Sequence, residues 1–329
     1  MKVSFKNEKV LFITTKNLDY LRNSQEIELI KSEAKSVDVI GSQKKSYLKR
    51  LLYVNMKILL TKFRKYDTVF VGFSPQLIVP IWAWKFRKVR LIEDFFISVY
   101  DTMVFDRKRF KKNSFMARIC KYLDKKTISK AEHIICDTNA HGDYFSSEFN
   151  VERQKIETLY LKADIGIYHP MNIDKDDKLK DKFVVLYFGS ILPLQGLDII
   201  LGALDKLKEE KDLYFYIVGP INNKFNKSES DNIEYIEWLS QEKLAEMIAM
   251  SDLCLAGHFN KEIDKAKRTI PGKAYIYEAM NKPMILGDNE ATRELYSDSM
   301  HNVFFVEMGN ALALAEKIIQ CKKELHERK

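Results

Sequence analysis

Short, nearly continuous apolar runs alternate along the chain with longer stretches whose apolar residues recur at helical spacing. The first six runs predict strands at Val10–Thr14, Val37–Ile40, Thr68–Gly72, Arg90–Ile92, His133–Cys136 and Ile156–Tyr160. Six more follow at Phe183–Phe188, Leu213–Val218, Ile233–Tyr235, Leu253–Ala256, Met284–Leu286 and Val303–Val306. Strands without apolar–polar alternation, each followed by a helical pattern, predict parallel sheets covered by helices on both faces. Met171 to Lys180 separates the two sets; it is highly charged and aperiodic, and reads as a linker over 171–181. The expected architecture is α/β: two tandem doubly wound Rossmann-like domains, 1–170 and 182–329, with an inter-domain cleft as the natural ligand site.

Composition narrows the class. The 329 residues are 46 % hydrophobic and 30 % charged, which excludes a disordered chain. The longest apolar run, Thr68 to Trp84, is broken by Ser74-Pro75-Gln76 and Pro80, so it reads as a buried strand turning into a helix, not a membrane span. The first residues, Met1 to Lys6, lack the apolar core of a signal peptide. Cys120, Cys136, Cys254 and Cys321 lie far apart, the pattern of buried reduced thiols in a cytoplasmic protein.

Charge is uneven. Residues 1–170 carry 32 Lys/Arg and 19 Asp/Glu, while the remainder carries 22 and 27. Lys44 to Lys65 holds eight basic residues and no acidic one, and Arg107 to Lys130 holds ten against the single Asp124. Such blocks suit anionic lipid, phosphate-bearing ligands or nucleic acid, or form a solvated helix face. No nucleic-acid recognition module accompanies them, so no nucleic-acid partner is expected.

The chemistry-bearing motifs of several enzyme classes are missing. Neither G-x-G-x-x-G nor a P-loop occurs, which argues against dinucleotide enzymes and P-loop kinases. No G-x-S-x-G elbow or H-E-x-x-H helix occurs either. Asp174-Lys175-Asp176 matches a D-x-D metal–nucleotide pattern but falls in the linker, so no metal site or cofactor is expected.

The specific signal lies in the second half. Leu186 to Ile200 reads as a strand, a glycine turn at Gly189-Ser190-Ile191-Leu192-Pro193-Leu194-Gln195-Gly196, and a helix start. Then come Phe215-Tyr216-Ile217-Val218-Gly219, Trp238, Ser251-Asp252-Leu253-Cys254-Leu255, and Lys265-Ala266-Lys267-Arg268-Thr269-Ile270-Pro271-Gly272-Lys273. Lys282 to Asp288 and Ala291-Thr292-Arg293-Glu294-Leu295 close the series. This order resembles the donor domain of glycosyltransferase family 4, and is most similar to a bacterial subgroup with a G-[ST]-x-x-P-L-Q-G turn. Ile92 to Thr102 with Asp106-Arg107, and Asp137 to His141 with Tyr144-Phe145, resemble that subgroup's acceptor domain.

The resemblance implies the GT-B fold and a retaining, metal-independent transferase that takes a sugar from a nucleotide-sugar. Donor contacts would come from Gly189, Ser190, Gln195, Gly196, Gly219, Trp238, His258, Glu278 and Glu294. Asp94, Arg268 and Lys273 would serve the reaction, the two cations neutralising the leaving phosphate beside a helix N-terminus. A saccharide or lipid-linked acceptor would lie near Ser98, Asp101, Arg107 and His141.

The pattern also departs from the family. Ser190 and Gln195 stand where well-known members have Arg and Lys, and Ile276 stands where they have a ribose-binding Glu. Two functions therefore stay open: an active sugar transferase of cell-surface polysaccharide synthesis, or a non-catalytic homologue acting as a partner or membrane-binding subunit. Lys44–Lys65 interleaves leucines with its cations, which predicts peripheral attachment to an anionic cytoplasmic membrane face without insertion.

Overall fold

The computed structural model describes residues 3–222 and 225–328, and its contacts divide the chain into two units, Met1–Lys162 and Ala163–Lys329. In the first unit six strands, β1 (Lys9–Ile13), β2 (Ser36–Ile40), β3 (Thr68–Val71), β4 (Arg90–Asp94), β5 (His133–Cys136) and β6 (Ile156–Thr158), form one parallel sheet. Their spatial order is β2-β1-β3-β4-β5-β6, so the order reverses between β1 and β3. Helices α1 (Leu21–Glu33), α2 (Tyr47–Leu60), α3 (Val79–Phe86), α4 (Phe115–Ile128) and α5 (Asn139–Phe149) make the connections. Val10, Phe12 and Phe70 pack with Ile30 of α1 on one sheet face, and Leu11, Ile13 and Val69 pack with Val54 and Ile58 of α2 on the other. The apolar run Thr68 to Trp84 resolves into β3 and α3, as its interruptions predict.

The second unit repeats the layer plan with a different order. Strands β7 (Phe183–Phe188), β8 (Leu213–Val218), β9 (Ile233–Ile236), β10 (Leu253–Gly257), β11 (Met284–Gly287) and β12 (Val303–Val306) are again all parallel. They run β12-β11-β10-β7-β8-β9, with the reversal between β7 and β10. Helices α6 (Leu197–Leu207), α7 (Gln241–Met250), α8 (Asp264–Arg268), α9 (Gly272–Ala279) and α10 (Ala311–Glu327) cover the sheet. In open parallel sheets ligands bind beyond the carboxyl ends of the strands where the order reverses. Each unit therefore offers one such place.

The expected boundary shifts. The chain divides after Lys162, not after residue 170, and 171–181 is not an open linker. Leu179 is fully buried, and Lys175 donates to Lys182 O at 2.9 Å and pairs with Asp252 beside the amino end of β10. The aperiodic charge thus marks a packed lead-in strap to β7. The four cysteines are buried thiols. Among the described residues no helix is long and apolar enough to cross a membrane.

Candidate functional site

At the β7/β10 reversal the backbone itself shapes the floor. Gly219, one residue past β8, has φ 149°, and a Cβ there would stand 2.2 Å from Gly189 O, so the ends of β7 and β8 meet backbone to backbone. Gly257, at φ 92°, ends β10 beside a bulge in its pairing with β11, and a Cβ there would lie 2.5 Å from Gln195 Oε1. Gly196 begins α6 in the left-handed region. Within this unit α7 and α10 are capped by Ser240 and Asn310, whose side-chain oxygens accept from Lys243 N and Ala313 N. By contrast α6 and α9 start at Gly196 and Pro271 with no side-chain cap. Uncapped first-turn N–H groups favour an anion.

One cation enters this floor. Lys273, in the first turn of α9, is 6 % exposed and places Nζ 2.5 Å from Gln195 Oε1, over the Tyr187 ring at 4.9 Å. Its Nζ also lies 3.1 Å from where a Cβ on Gly189 would stand. Burial alone pushes the ammonium down to about 7. The only hydrogen-bond partner described for it is a neutral amide, so an arriving anion would restore its charge.

The neighbouring segment folds back over the end of β10. His258 sits at φ 58°, is buried, and donates from Nδ1 to Thr269 O at 2.9 Å, which fixes its tautomer. Arg268 is half-buried and borders a pocket of about 420 Å³ with Lys261, Asn289, Glu290 and Glu307, beyond the ends of β11 and β12. Trp238, after β9, is 76 % exposed, which rules out a core role and leaves its ring available to a flat ligand. Ser190 is exposed on the turn after β7.

Two expected donor residues are placed differently. Glu278 lies five residues beyond Lys273 on α9, on another side of the helix, and its carboxylate accepts from Tyr296 Oη at 3.0 Å. That bond holds the carboxylate away from the Lys273 floor. Glu294 falls in a three-residue 3-10 turn, Thr292–Glu294, not in the first turn of an α-helix.

The first unit's set is spent inside the fold. Asp94 ends β4, two residues beyond the expected end of that strand, and Arg22 Nε and Nη2 hold both its oxygens at 2.8 and 2.7 Å, so it is no free base. Glu26 completes the buried group at 3.4 Å from Arg22, and burial followed by the Asp94 charge raises its carboxyl well above the usual range. Ser98 donates to Asp124 Oδ2 at 2.7 Å and accepts from Asp101 N at 2.9 Å, and Ser98 and Asp101 are each 1 % exposed. His141 is fully buried and its Nδ1 lies 2.7 Å from Asp137 Oδ1. Arg107 alone of that set is exposed.

Sequence reasoning missed Arg22, Tyr187, Gly257 and Asn289. For Arg22 a signal existed: the buried positions of α1, Arg22, Asn23, Glu26 and Ile30, recur at helical spacing, but three of them are polar. Among the described residues no group of three or more His, Cys, Asp or Glu side chains is placed to hold a metal ion. In the former D-x-D stretch Lys175 is paired with Asp252 and Asp176 O accepts from Leu179 N.

Residues 170–329 match the model of the family described as glycosyl transferases group 1. The chain is similar to the spore coat protein SA of Bacillus subtilis, 22 % identical over 266 residues, covering 73 % of this chain and 66 % of that protein. The alignment thus spans just under two thirds of that relative. Among solved structures, sucrose-phosphate synthase from Thermosynechococcus elongatus superposes with a TM-score of 0.67 at 10 % identity, covering 97 % of this chain and 91 % of that one. HepE from Anabaena, in complex with UDP-glucose, gives 0.62 at 14 % identity with the same coverages. At these identities the likeness is one of fold: the chain carries the two-sheet GT-B architecture.

Proposed function

We propose that this protein is a glycosyltransferase that moves a sugar from a nucleoside-diphosphate sugar to an acceptor hydroxyl. The observation that carries the reading is Lys273, a buried cation backed only by the Gln195 amide over a floor of glycine backbone, at the strand reversal of a group 1 glycosyltransferase unit. A diphosphate laid there gains Lys273, the α6 and α9 amides and Arg268. As the bond from the anomeric carbon to the phosphate oxygen breaks, charge grows on that oxygen where these groups lie. The acceptor oxygen bonds the anomeric carbon, and its proton passes to the leaving diphosphate. In this reading the reaction is retaining and needs no metal. Trp238 flanks the base, and His258 and Ser190 border the donor.

The Anabaena neighbour was captured with UDP-glucose, which supports UDP as the first nucleotide to try. Isothermal titration with UDP, GDP, CDP and dTDP tests the placement: Arg268→Ala should weaken binding by about 1.5–3 kcal/mol, and equal affinity of mutant and parent for each nucleotide would refute it. Transfer should persist in EDTA. The acceptor in this reading is a lipid-linked saccharide of cell-surface polysaccharide synthesis, met at the cytoplasmic membrane face by the basic first unit.

A second reading is favoured by one observation: Asp94, Ser98, Asp101 and His141 are all buried and bonded within the first unit. A non-catalytic homologue would keep nucleotide binding without turnover. Slow release of UDP from UDP-sugars without acceptor separates the two, because only an active enzyme hydrolyses its donor.

A further inference from the structure

The outward faces of α2, α3 and α4 are apolar where a solvated surface should be polar. Twelve of the seventeen large apolar side chains exposed among the described residues lie on these three helices. On α2 they are Tyr47, Leu60 at 74 % exposure, and Leu48, Leu52, Met56 and Leu59, three or four residues apart. They form a second stripe, distinct from Val54 and Ile58, which face the sheet. Ile81 and Trp84 are exposed likewise on α3, and Phe115, Met116, Ile119 and Tyr122 on α4.

The helices are neighbours. Trp82 Nε1 of α3 donates to Asn55 Oδ1 of α2 at 2.7 Å, Lys85 of α3 donates to Ile58 O at 2.9 Å, and Gln76, just before α3, donates to Asp124 of α4 at 2.9 Å. The segments that carry the stripe are basic, and among their cations Lys65 pairs with Asp38 of β2 and Lys121 with Glu148 of α5. From Lys44 to Ile92 the only acidic residue is Asp67, and from Arg107 to Lys130 it is Asp124, which is fully buried. At the carboxyl ends of α2 and α3 a pocket of about 470 Å³ is lined by Phe63, Trp84 and Val89 with Lys62, Arg64 and Lys88, and by no carboxylate. Exposed apolar side chains gathered on neighbouring helices call for a partner, and a predominantly cationic border selects an anionic one.

We infer that the α2–α3–α4 face inserts its apolar stripe into the interfacial layer of an anionic bilayer, with a phospholipid head group in the Lys62–Arg64–Lys88 pocket. Insertion goes beyond the surface attachment expected from charge alone, and the inference rests on the membrane part of the proposed function. A helix with apolar and cationic faces buries its apolar side at the head-group boundary, and cations add about fivefold in partition each.

Co-sedimentation of the full chain with phosphatidylglycerol/phosphatidylcholine vesicles tests this. The parent should pellet with them and stay in solution with phosphatidylcholine alone. Leu52→Glu/Met56→Glu, at exposed positions, should lower partition at least tenfold with an unchanged Tm, including at salt that screens charge. Lys45→Ala/Lys49→Ala should lower it about 30-fold at low salt only. Partition of the double-Glu variant equal to the parent's overturns insertion. So does a parent that stays in solution and instead forms a concentration-dependent dimer that the variant abolishes, since a second copy would then cover the face. UDP titration of the same sample keeps the readings apart: UDP binding without vesicle binding sinks this inference and leaves the transferase reading standing.

Discussion

The two units handle polar groups at the carboxyl ends of their sheets in opposite ways. In the first, Arg22 is closed into a buried group with Asp94 and Glu26, and Asp137 with His141 lies nearby. Burial works against the Asp137 charge, yet His141 and Arg22 outweigh it and hold that carboxyl below its usual range. In the second, Lys273 is also buried, but among the described residues it meets an amide, aromatic rings and glycine backbone and no carboxylate. In one the buried cation already has its counter-charge from the chain. The other is short of an anion. A buried charge can thus be settled within the fold or left for a ligand, depending on whether its partner comes from the chain.

The largest effect should come from opening the closed group. Arg22→Ala leaves Asp94 and Glu26 buried without their cation and should cost about 3–5 kcal/mol in denaturant unfolding, with nucleotide affinity unchanged once folded. Lys273→Met should do the reverse: UDP binding weakens by about 1.5–3 kcal/mol in titration calorimetry while Tm rises, because an unpaired buried ammonium is removed.

Protons sharpen the contrast. The pKa of Lys273 is lower in the folded chain than in the unfolded one, so the unfolded chain binds more protons between about pH 7 and 10.5. Its contribution to stability therefore rises with pH across that window and is least below it. Binding has the opposite slope: a diphosphate needs the ammonium, so UDP affinity should fall about tenfold per pH unit above pH 8. Calorimetry in buffers of differing ionisation enthalpy should show proton uptake, lost in Lys273→Met. A flat affinity profile from pH 6 to 9 would falsify this role. The smallest effect belongs to Trp238→Ala, about 0.5–1.5 kcal/mol of nucleotide affinity, with Tm nearly unchanged for so exposed a side chain.

How much of this was legible follows from what a one-dimensional pattern can carry. β7, β8 and β12 match their expected bounds to the residue, since buried parallel strands are unbroken apolar runs. β4 runs on through Glu93 and Asp94, which apolarity could not predict, because one carboxylate is held by Arg22 and the other lies buried with its pKa raised by desolvation. The Gly189–Gly196 turn, Gly219 and Lys273 were found through their order along the chain, and the fold gathers them. The internal bonding of Asp94, Ser98 and His141 is not legible in the sequence because pairings such as Arg22 with Asp94 join residues 72 apart, and nothing local distinguishes a carboxylate that is consumed from one that is offered.

The contact of Gly219 with Gly189 O also bears on how such a protein can change over generations. Part of the grip on a diphosphate would come from peptide groups, which every substitution except one to proline leaves in place, and any new side chain at Gly219 meets backbone at 2.2 Å. The floor is thereby insulated from drift. Trp238 and Ser190, exposed at the rim, carry no such constraint. On the proposed reading, selection or a mutant library would retune the choice of base and sugar at those two positions while the backbone grip on phosphate is inherited intact.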